Sequence, residues 1–330
     1  MSLTRRRFLS RSAAALASLA PVGGCTLATR PPGDPAMLPI VDTHQHLWDL
    51  SRIHPPWLKP GQPLTRSFVM KDYLAATHGL NVVKAVYMEV AVADADLVAE
   101  AEGIIELCRR DDNPTVAAVI GGRPAADGFG DYITRFKASP YVKGIRQIVG
   151  RGAGKVHPFA EPAFVRGIRL LGELGMSFDL CGPPADLPEA ARLVEQCPDT
   201  RFVVDHCGNA NPKAFRKDAD AASVRHAEQW RRGIDALARH TRIVCKISGI
   251  VASMPKGNWS PEDLAPVVSH CLDAFGPDRV VFASDWPVCT RGASLAEWVG
   301  ALKQIVSERP AAEQRKLFHD NALRFYGLDG

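Results

Sequence analysis

From residue 39 onward, eight short runs of β-branched and aliphatic residues alternate with longer stretches whose apolar residues recur at helical spacing. The runs cover 40–44, 82–89, 115–121, 142–148, 176–180, 201–206, 242–248 and 279–285. Between them, 96–110, 162–174, 185–196 and 223–240 read as helices. Such alternation specifies a parallel sheet, because parallel neighbours need a crossover to join them. Eight strand–helix units in about 290 residues predict a single (β/α)8 TIM-type barrel, regular or distorted, over 39–330, rather than an open doubly wound sheet. No G-x-G-x-x-G or phosphate-loop sequence follows any run, which argues against a nucleotide cofactor.

Connection lengths locate the working face. The helix-to-strand links at 79–81, 139–141 and 275–278 are short. The strand-to-helix links at 47–67, 207–222 and 249–261 are long and rich in Pro, Gly, Trp and His. In a barrel, long loops after strands build a site at the C-terminal face.

The N-terminus reads as an address rather than as part of the fold. Thr4-Arg5-Arg6-Arg7-Phe8-Leu9 resembles a twin-arginine export signal, and an apolar Ala/Leu stretch follows over 13–20, too short to span a bilayer. Val22-Gly23-Gly24-Cys25 resembles a lipobox, in which Cys25 becomes lipidated and is the new N-terminus. The expectation is a signal over 1–24, a Pro-rich extended tether over 25–38, and an exported, periplasmic protein that touches a membrane only through Cys25. Arg5, Arg6, Arg7 and Arg11 account for the whole formal charge of +4, and residues 1–24 contain no acid. Without them 36 basic residues face 36 acidic ones, so the footprint of a nucleic-acid partner is missing. The other seven cysteines show no C-x-x-C spacing and are odd in number, which suits buried small side chains rather than a disulfide framework.

Three strand ends carry ionisable groups. In Val41-Asp42-Thr43-His44-Gln45-His46 the histidines are two apart, so on a strand both leave the same face, where they can converge on one divalent ion or one substrate oxygen. Val203-Val204-Asp205-His206 and Ala283-Ser284-Asp285 end two further runs in the same way. An ionisable group closing an apolar strand is costly unless paired or used, and Asp285 placed there can take a proton from water. Arg146 either meets a carboxylate or hydroxyl-rich substrate or pairs with a barrel acid such as Glu89, which is itself either that partner or an acceptor for a substrate hydroxyl. Trp48, Trp57, Trp259 and Trp286 fall on the same face, as stacking partners for a sugar ring or as loop packing. His54 reaches that face from the first long loop. His78, His226, His240, His270 and His319 fall in helical stretches, where exposure or local pairing is expected.

Together with Asp42-Thr43-His44-Gln45-His46-Leu47-Trp48-Asp49, the segments Pro56-Trp57-Leu58, Lys143-Gly144-Ile145-Arg146, Lys246-Ile247-Ser248-Gly249, Ser284-Asp285-Trp286-Pro287-Val288-Cys289 and Asn321-Ala322-Leu323-Arg324-Phe325-Tyr326-Gly327 resemble the amidohydrolase superfamily over about residues 39–328. The likeness is strongest to its branch of sugar-acid lactonases, similar to L-fuconolactonase and L-rhamnonolactonase. Fuller metal sites of the superfamily use a histidine on the fifth strand, and Met176-Ser177-Phe178-Asp179-Leu180-Cys181 offers none. The resemblance therefore implies an optional divalent ion, zinc, held where it binds by His44, His46, His206 and Asp285 with a water completing the shell. Without the ion, the three histidines would act as hydrogen-bond donors.

The implied reaction is the opening of a small sugar-acid lactone. Asp285 is the base, His44, His46 and His206 assist, and Arg146, Trp48, Glu89, Trp286 and His54 face the substrate. Two alternatives stay open: a zinc-dependent amidohydrolase, cleaving an amide, or decarboxylase of a small carboxylic acid, and a tethered binding lipoprotein that has lost its chemistry. Neither the lactone used nor the oligomeric state is legible in the sequence.

Overall fold

The structure is a computed structural model that describes residues 37–149 and 157–328. The expected signal over 1–24, Cys25 and all of the tether before Met37 lie outside the described residues. Eight strands form one sheet in chain order: β1 (Ile40–Gln45), β2 (Val82–Met88), β3 (Thr115–Gly121), β4 (Val142–Ile148), β5 (Ser177–Cys181), β6 (Arg201–Val204), β7 (Ile243–Ile247) and β8 (Val280–Phe282). Each pairs in parallel with the next. The ends of the sheet meet where Gln45 bridges Trp286 in parallel. There His46 N–H donates to the Trp286 carbonyl (2.8 Å) and Asp285 N–H to the His44 carbonyl (3.0 Å). The result is the (β/α)8 barrel that the alternation predicts.

All eight expected runs are strands, but two stop early. β6 ends at Val204 and β8 at Phe282, short of His206 and Asp285. The reason is backbone conformation: His206, Cys207, Gly208 and Asn209 have φ of 54°, 51°, 64° and 54°, and Asp285 has φ of 56°. Left-handed residues cannot continue a strand, and for non-glycine residues each costs roughly 1–2 kcal/mol. This strain sits at two of the three strand ends whose side chains the sequence singles out.

Two apolar cores hold the barrel. The larger lies between the sheet and the surrounding helices and includes Phe164, Phe178, Phe202, Trp230 and Trp298. The smaller fills the barrel with Val41, Val86, Met88, Ala117, Val119 and Val281, and Ala322, Tyr326 and Leu328 of the C-terminal segment join it. The motif that starts at Asn321 is thus a plug. The amide of Asn321, 1% exposed, donates to the carbonyls of Pro277 and Val280 (2.8 Å each), fastening the start of β8. The seven described cysteines after residue 37 are buried and free, as expected of small core residues.

Asn321→Ala leaves both carbonyls without that donor. We expect a loss of roughly 1–3 kcal/mol in urea unfolding, with an unchanged denaturant slope. A variant as stable as the wild type would show that the plug does not rest on these bonds.

Candidate active site

β1 delivers the two histidines. Its pairing with β2 shifts register between Asp42 and Gln45, an irregularity of the kind that re-aims side chains beside active sites. His44 and His46 meet edge to face, with their Nε2 atoms 3.1 Å apart. His46 Nδ1 lies 2.9 Å from the Met88 carbonyl, and because a carbonyl can only accept, Nδ1 carries the hydrogen. The Nε2 lone pair of His46 is therefore turned toward the barrel mouth. His44 Nδ1 lies 3.4 Å from the buried Asp205 carboxylate and 3.3 Å from Lys246 Nζ, and its Nε2 faces the same way.

The left-handed turn after β6 brings in the third imidazole. His206 Nδ1 bonds the Ser248 hydroxyl at 2.9 Å, and its Nε2 lies 3.9 Å from Asp285 Oδ1. That oxygen is also 3.4 Å from His46 Nε2 and 3.8 Å from His44 Nε2. The strand-end residues read from the sequence, His44, His46, His206 and Asp285, are thus gathered around one point. Burial holds the His44 and His206 imidazoles below their ordinary range and pushes His46 down to about 3, so all three are neutral at pH 7. Burial raises Asp285 to about 6 against the opposing pull of His206 and Arg146.

Three neutral imidazoles presenting Nε2 beside one carboxylate oxygen form a site suited to a cation. His44, His206 and Asp285 bring one ligand atom each within 4.8 Å of one another. His46 Nε2 stands beside two of them, and ligand separations of 3–4 Å suit donors that share an ion about 2 Å from each. The residues present fit a single zinc ion. The fifth strand, where a histidine is missing, presents Asp179, but its carboxylate is committed to Lys246 Nζ (2.6 Å). Cys181, on the same strand, also borders the cavity, and burial pushes its thiol up to about 12, which keeps it protonated.

Lys246-Ile247-Ser248-Gly249 now has a physical reading. The ammonium of Lys246, wholly buried, joins Asp179 to Asp205 (3.1 Å), and so backs His44. Ser248 orients His206. Gly249 has φ of 71°, and a Cβ there would stand 2.5 Å from His206 Cγ. Asp179, Asp205, Lys246 and Ser248 were not among the expected site residues. The period-two spacing of Lys246 and Ser248 on a strand is the signal that could have found two of them.

Arg146 takes the internal option of its two readings. Nε donates to Glu89 Oε1 (2.6 Å), Nη2 to the Glu89 carbonyl (2.7 Å), and Nη1 lies 3.2 Å from His44 Nε2. The guanidinium still borders an open cavity of about 560 Å³ that His46, His206 and Asp285 share. The expected sugar-facing tryptophans are placed differently. Trp48 donates to the Arg66 carbonyl (2.6 Å) and packs edge-on against Phe68, while Trp286 packs against Phe68 and Tyr73. Both are buried in loop packing and neither borders the cavity, because the first long loop folds back over them. Trp57 does border it, half-exposed, with Val90, Ile148 and Arg291. His54 is exposed and away from the cavity wall. His270 and His319 pair locally with Asp235 (3.0 Å) and Asp320 (2.8 Å).

Gly249→Ala should crowd His206 out of the cluster. We expect zinc affinity, read by competition with a chromophoric chelator, to fall by about 10–100-fold while the circular dichroism spectrum is kept. Unchanged affinity would remove His206 from the site.

A model of the amidohydrolase family matches residues 41–328. The chain is 29% identical over 299 residues to an L-fucono-1,5-lactonase of Burkholderia multivorans, covering 87% of this chain and 96% of that relative. It is 22% identical over 340 residues to an L-rhamnono-gamma-lactonase of Scheffersomyces stipitis, covering 88% and 98%. A zinc-bound amidohydrolase structure from Burkholderia multivorans superimposes with a TM-score of 0.75 at 24% identity, covering 88% of this chain and 99% of that one. On a family match that spans nearly the whole barrel, the chain belongs to the amidohydrolase family.

Proposed function

We propose that this protein hydrolyses a small sugar-acid lactone. The observation that carries the reading is the meeting of Asp285 with three neutral imidazoles at an open barrel mouth, in a chain similar along its length to sugar-acid lactonases. Asp285, raised to about 6 by burial, is ionised at neutral pH yet basic enough to take a proton from water. The water oxygen bonds to the lactone carbonyl carbon, and the carbonyl electron pair moves to its oxygen. Collapse of that oxyanion breaks the ring C–O bond, and the departing alkoxide recovers the proton from Asp285. The product is an open hydroxy acid.

Stabilising the oxyanion needs a positive group or a donor. His46 cannot be that donor while its Nδ1 hydrogen is on Met88, so the reading of all three histidines as donors in a metal-free site gives way here. Arg146 lines the cavity and offers its guanidinium to the carbonyl oxygen while Glu89 fixes its orientation. When bound by His44, His46, His206 and Asp285, a zinc ion would supply Lewis acidity at the same place. Trp57 and Ile148, both part-exposed at the rim, give the lactone ring an apolar wall.

A panel of aldonolactones that includes L-fucono-1,5-lactone and L-rhamnono-gamma-lactone, followed with a pH indicator, tests the reaction. Acid release from at least one is expected, with Asp285→Asn lowering kcat by about 10²–10⁴-fold at unchanged thermal stability. Near-wild-type turnover in that variant would remove Asp285 as the base. No lactone opening, together with stoichiometric zinc and release of an amine or carbon dioxide from a carboxylic-acid panel, would favour the amide-cleaving or decarboxylating alternative.

A further inference from the structure

The helix α2 (Leu97–Cys108) buries a stripe of Leu97, Ala101, Ile104, Ile105 and Cys108 against the sheet, and Glu100 lies within it, 4% exposed. Its Oε1 accepts from the Tyr87 hydroxyl (2.9 Å) and from Val90 N–H (2.8 Å). Its Oε2 is buried and has no bond from any described group. That oxygen and the Glu89 carboxylate lie beside the same residue, Gly121. A Cβ built on Gly121 would stand 3.4 Å from Glu100 Oε2 and 3.5 Å from Glu89 Oε2, so both carboxyl groups border the same bare glycine.

Glu89 is fully engaged. Oε1 accepts from Arg146 and Oε2 from Ala91 N–H (2.6 Å). Two buried carboxyl groups that border one glycine compete for one guanidinium, and Glu89 is the one bonded to it. The remaining proton belongs on Glu100, whose otherwise unbonded Oε2 carries it. Among the described residues, Tyr87 on β2, Tyr132 on the helix α3 (Phe129–Thr134) and, beyond Glu89, Arg146 on β4 act on Glu100, and Asp49, Arg52, Glu106, Arg109 and Arg110 line the cavity that it borders on the outer side. Neither phenol can discharge a carboxylate.

We propose that Glu100 is a positioning residue for the site: a proton-bearing carboxyl behind β2 that holds the Glu89–Arg146 pair, and through it the approach of Arg146 to His44. Its hold on Val90 N–H fixes the same strand end, where Ala91 is kept at φ of 52° and Met88 orients His46. Burial and the neighbouring Glu89 charge push Glu100 up to about 7, so the proton leaves within the neutral range. As pH rises through that point, Glu100 becomes an anion facing Glu89, the pair loosens, and activity falls. The folded state binds this proton more tightly than the unfolded chain does. Its stabilising contribution is therefore fully present below the ordinary glutamate range, near 4.5, and lost as pH rises through about 7.

The kinetic part rests on the lactonase reading, so the test has an arm that does not. In full-length protein labelled with 13C at the glutamate carboxyl, one resonance should titrate near pH 7 in the wild type and be missing in Glu100→Gln. In lactone hydrolysis, Glu100→Ala should lower kcat by on the order of tenfold. Glu100→Gln, which keeps an acceptor and gains a permanent donor, should recover most of that loss and should lack the fall in rate above pH 7. Inactivity of every form on lactones with the resonance present would sink the lactonase reading and leave the proton placement standing. A Glu100 resonance that titrates in the ordinary carboxylate range would overturn the proposal. So would a Gln variant that keeps the alkaline fall, even if the Ala variant does not fold.

Discussion

The carboxylate of Asp42 is the joint on which the barrel and its site both depend. It is wholly buried, and one oxygen accepts from His44 N–H (3.2 Å) and from Ser284 N–H (2.8 Å), across the seam between the first and last strands. The other accepts from the Tyr73 hydroxyl (2.8 Å) on the helix α1 (Met70–Ala76), which lies outside the sheet. β8 has only three residues, too few for a long ladder, and side chains make up the difference: the Thr43 hydroxyl donates to the Phe282 carbonyl (2.7 Å). Closure and site geometry are one event, because the backbone atoms fastened at the seam belong to His44 and to the residue before Asp285.

A second constraint is charge. Among the described residues around the mouth, Asp42, Glu89, Glu100, Asp179, Asp205 and Asp285 are buried, and Arg146 and Lys246 are the buried cations beside them. Burial lifts both Glu100 and Asp179 to about 7, which removes part of the excess. Asp205 stays well below its ordinary range despite burial, because Lys246 and His44 lie beside it. The remaining surplus of negative charge, together with the Nε2 lone pairs, makes the mouth a place where a cation is favoured and a neutral donor set is not. Histidines that are acceptors in the protein cannot themselves supply the positive charge that an opening lactone needs.

The barrel was legible because period-two and period-3.6 patterns are local properties, and the strand-end positions of His44, His46, His206 and Asp285 followed from it. The early ends of β6 and β8 were not, since His, Gly, Asn and Asp permit left-handed backbone without requiring it, and the apolar runs lead straight into them. Trp48 and Trp286 were misplaced for a different reason. The same residue type serves loop packing and sugar stacking, and only the fold-back of the first long loop decides between them. Arg146 and Glu89 were seen as a possible pair, but choosing it required knowing that β2 and β4 present both side chains to one interior. Glu100 was missed although a signal existed: it shares a helical stripe with Leu97, Ala101 and Ile104, where an unpaired carboxylate is out of place.

The chemistry of the barrel mouth depends on whether three imidazole nitrogens and Asp285 form a ready cation site. X-ray absorption at the zinc edge of the zinc-loaded protein tests this directly. One ion per chain is expected, with nitrogen and oxygen neighbours at about 2.0–2.1 Å and the outer-shell scattering of imidazole rings. A sulfur neighbour at about 2.3 Å, which would put Cys181 in the shell, or failure to retain zinc at all, would contradict it.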